Sequence, residues 1–472
     1  MEQVHERLNE IADLSRRLAL AFDHAGFSLY AVGGAVRDAL LGLARGEEVE
    51  IDFTTNARPD DVEALMKPLC TTLWEQGRAF GTIGGILREN GVKAEVTTFR
   101  SEAYVDHSRK PSVEWGDSLE VDLGRRDFTI NALALDVVAL ATGATGVQTL
   151  FDYHQGYRDL HDRVLRTPAD PVVLFRDDPL RMLRAARFAA RFEMRIDPSV
   201  EEAATEVADQ LSKVSVERIR GELDLLLLTA TPSPGLDFIV RTGLAAHFLP
   251  ELPALRLEQD PVHQHKDVLA HTWAVVDKAS PRLVLRLAAL LHDIGKPATR
   301  AYSDEGVTFR FHEVVGARQA RKRLTALKYS QQIVDDVTAL VELHLRFHTY
   351  KMGWTDKAVR RYVRDAGPLL EDLNELTRCD ATTRNVRKAV TFARRMDELE
   401  LRVAELRERE DLNRLRPALD GVAVMEILGI RPGPAVGRAL DFLMEIRLDE
   451  GEIDPEDAAQ RLTAWWAQQN AT

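Results

Sequence analysis

The spacing of apolar and polar residues changes character along the chain. Within about the first 145 residues, strand-like runs occur at Leu29 to Val32, Val49 to Thr54 and Ala94 to Phe99, mixed with helical patterns. Beyond residue 145 the apolar residues recur mainly at helical spacing. We therefore predict an α+β fold, in which a mixed N-terminal head is followed by a nearly all-helical remainder.

Breaks in the helical pattern divide this remainder. The stretch from Thr167 to Pro171 precedes a helical pattern over Asp178 to Phe192, and another break lies near Pro250 to Pro261. The pattern over Leu399 to Leu415 predicts a helical arm rather than a partner-binding zipper. Residues 429–437 predict a turn that opens a helix, either a simple inter-helix turn or a grip for a nucleic-acid phosphate.

Composition narrows the class of protein. With 472 residues, 45% of them hydrophobic and 29% charged, the chain has the composition of a soluble globular protein of several domains. Residues 1–22 form an amphipathic pattern without the order of a signal peptide, and no apolar run is long enough to span a bilayer. Because Cys70 and Cys379 lie far apart, neither a disulfide framework nor a cysteine zinc site is expected. We predict a cytoplasmic protein that does not associate with membranes.

Charge restricts the choice of partners less sharply. The net charge of −13 argues against indiscriminate nucleic-acid binding, yet arginines and lysines cluster at residues 181–191, 318–323 and 346–364. These clusters are either solvated helix faces balanced by nearby acids or a track for phosphates.

Two short motifs near the N-terminus carry the most chemical information. The first strand runs into Gly33 and Gly34 and then into a helical pattern, so that phosphate oxygens can approach backbone N–H groups at a helix N-terminus. Glu50 and Asp52 are separated by one residue, which places both carboxylates on one side of a strand. Such a pair can hold two Mg²⁺ ions. A tight turn and a solvated sheet edge are the ordinary alternatives, but the ordered combination predicts nucleotidyl transfer.

Two further segments could complete this site. Glu95, in a β-branched run, is either a third carboxylate or a surface strand position. Residues 125–132 combine Arg126, Asp127 and Asn131, a mixture that suits a ribose hydroxyl and a phosphate. The alternative for this second segment is a helix start capped by Asp127.

These motifs, in this order, resemble those of the bacterial CCA-adding tRNA nucleotidyltransferases, the class that also contains bacterial poly(A) polymerases. The similarity covers almost the whole chain and includes residues 33–38, 50–52, 125–132, 177–181 and 215–219. It implies a DNA-polymerase-β-like head at 1–165, a neck that reads the incoming base at 166–255, a body at 256–400 and a tRNA-binding tail at 401–472. It also implies CTP and ATP as substrates, tRNA as the partner and Mg²⁺ as the cofactor, with no obligate protein partner evident.

The resemblance assigns roles to individual residues. Base selection falls to Asp178 and Arg181, which on a helix would share one face and offer acceptors and donors that match cytosine and adenine. An intrahelical ion pair would use the same spacing. The catalytic pair is Glu50 and Asp52, and the nucleotide-binding residues are Gly33, Gly34, Arg37, Arg126, Asp127, Asn131, Asp178, Arg181, Arg184 and Arg187.

The chain departs from the family pattern at two positions. Glu50 stands where the family normally has Asp, and its extra methylene moves the carboxylate by roughly a bond length, which could reduce or abolish activity. Asp177 replaces the Glu that normally begins the neck motif. We expect this second change to matter less, because the base-reading pair is intact.

A separate set of histidines and aspartates lies in the body: His271, His292, Asp293, His312, His344 and Asp380. It resembles the HD-type metal phosphohydrolase domain, whose name comes from its His-Asp doublet. One or two divalent transition metals would bind there, and the bound water would attack a phosphoester. Packed histidines are the alternative, but a doublet between an upstream His and a downstream Asp favours metal binding.

Several activities share these motifs. The segment from Ser101 to Asp117 is long enough to be the flexible element that complete adders need for the base switch, which favours full CCA addition. A poly(A) polymerase and a partial adder of C-C or of A are alternatives. Another is an HD phosphohydrolase whose degenerate head serves as an RNA-binding module.

Overall fold

The chain forms two compact units. The computed structural model describes residues 2–43, 49–101, 114–116, 118–144, 147–257, 267–303, 306–348, 354–382, 385–409 and 416–469. One unit contains residues 1–226 and 234–247, and the other contains residues 227–233 and 248–472. The predicted α+β class is confirmed, because the main sheet lies in the first unit and helices predominate elsewhere.

A seven-stranded sheet organises the first unit. Its strands are β1 (Leu29–Val32), β2 (Glu50–Thr55), β3 (Cys70–Trp74), β4 (Thr82–Leu87), β5 (Lys93–Thr98), β8 (Ala134–Asp136) and β9 (Leu150–Phe151). Two separate two-stranded sheets consist of β6 (Arg100–Ser101) with β7 (Glu114–Trp115) and of β10 (Val164–Leu165) with β11 (Arg195–Ile196). The strand order is β3-β4-β5-β2-β1-β8-β9, and β2 pairs with β5 in parallel. Buried apolar side chains such as Ile51, Phe53 and Val96 hold the central strands in the core.

The helices of the first unit follow the predicted apolar spacing. They are α1 (Glu2–His24), α2 (Gly34–Leu40), α3 (Pro59–Met66), α4 (Leu119–Gly124), α5 (Val137–Ala141), α6 (Gly156–His161), α7 (Pro171–Asp177), α8 (Leu180–Phe192), α9 (Pro198–Glu206), α10 (Val216–Leu227) and α11 (Ser233–Arg241). In α1, for example, Ile11, Leu18 and Phe22 are buried on one face.

One predicted helix start is wrong. Asp178 does not lie in a helix but at the junction between α7 and α8, with extended backbone angles of φ −137° and ψ 96°. The cause is Pro179, since a proline disfavours helical backbone in the residue before it. The prediction that Asp178 and Arg181 share one helix face is therefore also wrong.

In its described residues, the second unit is helical apart from one hairpin. Its elements are α12 (Val268–Lys278), α13 (Leu283–Leu291), α14 (Lys296–Thr299), β12 (Arg300–Ser303), β13 (Gly306–Phe309), α15 (His312–Ala326), α16 (Gln331–Leu343), α17 (Asp356–Ala366), α18 (Leu370–Asp380), α19 (Val386–Arg409), α20 (Gly421–Leu428), α21 (Pro434–Glu450) and α22 (Pro455–Gln469). The helical prediction missed the β12–β13 pair, whose antiparallel register runs from Arg300↔Phe309 to Ser303↔Gly306.

Some predicted segments lie partly outside the residues that the structure describes. The helical arm is present as α19 up to Arg409, whereas residues 410–415 lie outside the described residues. The same holds for residues 258–261 of the second break and for residues 102–113 and 117 of the proposed flexible element. The turn at 429–437 is observed, with Gly429 ending α20 in left-handed backbone and Pro434 beginning α21. Across the described ranges, no helix combines the length and the apolarity needed to cross a membrane.

Candidate functional site

The first candidate site lies where two neighbouring strands of the sheet, β2 and β5, present acidic side chains. Asp52 on β2 is in register with Val32 on β1 and with Glu95 on β5. Glu50 points to the same side of β2 as Asp52, because side chains alternate along a strand. Ligand atoms of Glu50, Asp52 and Glu95 all lie within 4.8 Å of one another. Three clustered carboxylates form an oxygen-rich group that fits Mg²⁺.

Gly33 brings the backbone up to this acid cluster. It directly follows Val32 and adopts a positive φ of 69°, a conformation that favours glycine. A Cβ atom built at Gly33 would lie 3.5 Å from Arg126 Nη1 and 3.6 Å from Asp52 Oδ2. The glycine therefore leaves open the space between a cationic side chain and the central carboxylate.

Lys93 is a member of this site that our sequence interpretation missed. It lies opposite Glu50 in the β2–β5 register, and its ammonium pairs with Glu50 and, at 3.3 Å, with Glu95. The hydrogen bond to Glu50 raises the pKa of Lys93. The signal was the alternation that puts Lys93 and Glu95 on one strand face.

The environment shifts the titration of the central acid. The surrounding protein atoms displace water from the Asp52 carboxylate, and this desolvation raises the pKa of Asp52. The charge of Arg126 opposes the shift, whereas the charges of Glu95 and Glu50 add to it. A cation bound between the three acids would relieve this repulsion.

The two residues assigned to base selection have separate partners. Asp178 accepts hydrogen bonds from Arg218 Nη2 at 2.9 Å and from the backbone N–H of Leu180 at 3.2 Å. Arg181 donates to the carbonyl oxygens of Leu174 at 3.1 Å and Arg125 at 2.7 Å. These bonds replace the intrahelical ion pair that the spacing allowed, and they hold Arg181 against the end of the 125–132 segment.

The other predicted nucleotide-binding residues form a partly buried network. Arg184 donates to Asp127 at 2.6 and 2.8 Å, and Asn131 donates to the same carboxylate at 2.9 Å. Burial alone would raise the pKa of Asp127, but Arg184 and the Asn131 hydrogen bond lower it. Asp127 does not cap a helix, because Phe128 is the residue that precedes the 3₁₀ turn Thr129–Asn131 and no side chain caps that turn.

Two arginines of this network are almost inaccessible. Arg37 is 4% exposed, donates to Asn131, and has its guanidinium 4.5 Å from the Phe192 ring centroid. Arg187 is 7% exposed and pairs at 2.6 Å with Glu222, a residue that sequence reasoning missed. Among the basic clusters, Arg321 and Arg323 are likewise paired, with Asp335 and Glu251.

We expect Arg187→Ala to lower the free energy of unfolding by about 3 kcal/mol, because Glu222 is left buried without its closest cation. Urea unfolding followed by circular dichroism measures the change. Arg176→Ala is the matched control: its pair with Glu206 is well exposed, so the loss should stay below about 1 kcal/mol. Equal losses for both variants would contradict a structural role for the buried pair.

The second candidate site lies in the second unit, where helix ends converge. His271 lies in α12, the His292–Asp293 doublet follows α13, and His312 begins α15. His344 follows α16, and Asp380 ends α18. The structure thus brings all six predicted residues together.

Short distances connect the groups of this second site. His271 Nε2 lies 2.9 Å from Asp380 Oδ1 and 3.2 Å from His292 Nε2. Asp293 lies 3.2 Å from His292 Nε2 through one oxygen and 3.4 Å from His312 Nε2 through the other. Two sets of three residues each have ligand atoms close enough together to hold a metal ion. One set is His271, His292 and Asp293, and the other is Asp293, His312 and His344. Asp293 belongs to both groups.

Backbone hydrogen bonds orient three of the imidazoles. Nδ1 of His292, His312 and His344 lies 2.8, 2.7 and 2.6 Å from the carbonyl oxygen three residues earlier in the chain. Because Nδ1 is occupied by this contact, Nε2 is the nitrogen of each ring that can bind a metal ion. Metal-ligating histidines are commonly oriented in this way.

His344 gives a direct test of whether the residues fit a metal. Its Nε2 is buried and has no hydrogen-bond partner within the described part of the chain. Burial, reinforced by the nearby His292, lowers the pKa of His344 to about 4, so the ring is neutral at physiological pH. A buried, neutral, unbonded imidazole nitrogen is a ready metal ligand.

The acids of this site are held ionised. Burial alone would raise the pKa of Asp293, but His292 and His312, with Lys296, hold it well below its usual range. Lys296 Nζ lies 2.6 Å from Asp293, and Thr382 Oγ1 lies 2.8 Å from His271 Nδ1. Sequence reasoning gave neither Lys296 nor Thr382 a role, although Lys296 lies only three residues after Asp293.

Comparison with known proteins adds independent support. Three family models match: the poly(A) polymerase head domain at residues 29–166, the probable RNA- and SrmB-binding site of polymerase A at 193–255, and the HD domain at 268–385. The CCA-adding enzyme of Geobacillus stearothermophilus is 30% identical over 95% of this chain and 94% of its own length. The CC-adding tRNA nucleotidyltransferase of Thermus thermophilus is 32% identical over 93% of each chain.

One further relative matches only part of this chain, and solved structures match its fold. The CCA-adding enzyme of Levilactobacillus brevis is 38% identical, but the match covers 51% of this chain and 56% of that protein. Among solved structures, the Bacillus stearothermophilus CCA-adding enzyme in complex with CTP aligns with a TM-score of 0.69 and 25% identity. That alignment covers 97% of this chain and 98% of the other.

Proposed function

This chain belongs to the family of the CCA-adding enzymes and bacterial poly(A) polymerases, and on that basis we propose that it adds C, C and A to tRNA 3′ ends from CTP and ATP. The observation that carries the proposal is the cluster of Glu50, Asp52 and Glu95 beside the Gly33 turn. We place this activity in the cytoplasm, where tRNA matures, and we retain the head, neck, body and tail divisions as part of the proposal.

The proposed reaction is a nucleotidyl transfer. The 3′-hydroxyl oxygen of tRNA attacks the α-phosphorus of the nucleotide, the bond to the β-phosphate oxygen breaks, and pyrophosphate leaves. Bound Mg²⁺ would supply hydroxyl activation and charge neutralisation. Glu50, Asp52 and Glu95 would hold the metal, and the backbone at Gly33 and Gly34 would bind the triphosphate.

Base selection is assigned to the junction between α7 and α8. Asp178 and Arg181 offer acceptors and donors there, and the two carbonyl bonds of Arg181 fix its direction. Arg126 and Arg184 are partly accessible cations, paired with Asp122 at 3.7 Å and with Asp127 at 2.6 Å. Because Arg37, Asp127, Asn131 and Arg187 are buried, we assign them to positioning the site rather than to contact with the nucleotide.

Sequencing the products of one reaction tests the proposal. The purified protein is incubated with Mg²⁺, CTP, ATP and a tRNA transcript that lacks its terminal CCA. We expect C, C and A followed by arrest. Termination after C-C would instead match the activity that names the Thermus thermophilus relative, and long A tails would make the protein a poly(A) polymerase.

The departure at position 50 yields its own prediction. We expect Glu50→Asp to change the rate of addition by less than about fivefold, or roughly 1 kcal/mol, because the Glu50 carboxylate already lies in the acid cluster. Single-turnover assays across a Mg²⁺ titration measure this. A gain of about 100-fold or more would show that the glutamate had disabled the head, and would favour the degenerate-head alternative.

A second activity is favoured by the unbonded Nε2 of His344 and by the sharing of Asp293 between two ligand groups. We propose that the second unit hydrolyses phosphoesters, so that water adds across a P–O bond and the alcohol leaves. An imidazole-rich ligand set suits a divalent transition metal, which would supply the attacking water.

A further inference from the structure

The metal-binding side chains of the second unit lie at the bottom of a cavity whose lining residues range from fully buried to half-exposed. Its volume is about 370 Å³, within the range typical of small-molecule sites. Asp293 and His344 are 1% exposed, whereas the His348 side chain that also lines the cavity is 49% exposed. A substrate whose phosphate reaches the bottom therefore leaves the rest of the molecule near the opening.

The first turns of α19 supply the cavity with a cation. Lys388 lines the cavity and is exposed, and no described carboxylate pairs with its ammonium. Lys296, in contrast, is already bound to Asp293 at 2.6 Å. Lys388 is thus a positive charge available to an anionic substrate.

The same helix also supplies a planar apolar surface. Phe392 lies four residues after Lys388, on the same helix face, and also lines the cavity. The buried ring of Phe347 supports it edge-to-face, with centroids 5.1 Å apart, and the His348 ring lies 6.4 Å away. An aromatic side chain held in this way can stack on a nucleobase, an interaction worth about 1–3 kcal/mol per base.

We propose that Lys388 and Phe392 determine the specificity of this cavity: the substrate is a nucleoside phosphate whose base stacks on Phe392 and whose phosphate charge is balanced by Lys388. This inference rests on the proposed phosphoester hydrolysis. It explains why a cavity with a metal-binding floor carries an aromatic ring and an unpaired lysine on one helix face.

A matched pair of substrates tests the inference. Adenosine 5′-monophosphate and ribose 5-phosphate share the phosphate and the sugar but differ in the base. With the full-length protein loaded with Mn²⁺, Co²⁺ or Ni²⁺, we expect the wild-type KM to be about tenfold or more lower for the nucleotide. Phe392→Ala should remove this difference, Phe392→Trp should retain it, and Lys388→Met should raise KM for both substrates without lowering kcat.

Val390→Ala is the matched control, because Val390 lies on α19, is 62% exposed and does not line the cavity. It should leave both KM values unchanged. Equal wild-type KM values for the two substrates, or a Phe392→Ala variant that still discriminates, would overturn the inference while leaving the hydrolytic activity in place.

Failure of the hydrolytic proposal would look different. No hydrolysis of either substrate with any of the three metals would count against hydrolysis itself. Equilibrium dialysis with labelled adenosine 5′-monophosphate then still tests recognition, because the nucleotide site of the first unit is the same in wild type and variant. Weaker binding by Phe392→Ala supports the base platform, and unchanged binding refutes it.

Discussion

Asp52→Asn is expected to lower the rate of CCA addition by about 10³-fold or more, equivalent to about 4 kcal/mol of transition-state stabilisation. Asp52 lies at the centre of the cluster, in register with Glu95 on one side and with the strand that leads into Gly33 on the other. Asparagine keeps the shape of the side chain but removes the charge that would hold the metal. Extension of a labelled tRNA transcript under single-turnover conditions measures the loss.

The control for this variant is an acid on the same unit that does not belong to the cluster. Glu89→Gln alters an exposed residue whose ion pair with Arg17 is 3.7 Å long, and it should leave addition unchanged. Hydrolysis of phosphoesters by the second unit should persist in Asp52→Asn. Addition within about tenfold of the wild-type rate would refute the metal assignment of Asp52.

Asp293→Asn is expected to produce the opposite pattern: loss of phosphoester hydrolysis by at least about 10³-fold, with CCA addition retained. Asp293 supplies oxygens to both ligand groups, so that its neutralisation weakens both. Metal content of the purified protein, measured by mass spectrometry, should fall together with hydrolysis.

A second variant distinguishes loss of the metal centre from unfolding of the protein. His344→Gln removes the unpartnered Nε2 together with the hydrogen bond between Nδ1 and the Val341 carbonyl oxygen, so metal binding should weaken at a structural cost of about 1 kcal/mol. Glu342→Gln changes an exposed neighbour in α16 and should affect neither metal content nor hydrolysis. Full hydrolysis by Asp293→Asn and His344→Gln would contradict the proposed metal centre.

Local patterns predicted much of the fold. The strand at Leu29–Val32 agrees with its predicted bounds, and those at Glu50–Thr55 and Lys93–Thr98 are shifted by one residue. The extended backbone of Asp178 could also have been predicted, because Pro179 follows it. The hairpin at residues 300–309 could not be predicted as easily, since its two strands have only four residues each and lie between helices.

The sequence by itself determined the chemistry that depends on neighbours in the chain. Residues 50 and 52 share a strand face because side chains alternate, and the His292–Asp293 doublet brings two ligand types together at one helix end. The tertiary structure alone decided that Glu95 and Lys93 join Glu50, that Arg187 is buried against Glu222, and that Phe392 faces the metal-binding cavity. Glu50 is 43 and 45 residues from Lys93 and Glu95, Arg187 is 35 residues from Glu222, and Phe392 is 99 residues from Asp293. Only the pairing of strands and the packing of helices brings such groups together, and no local periodicity records those contacts.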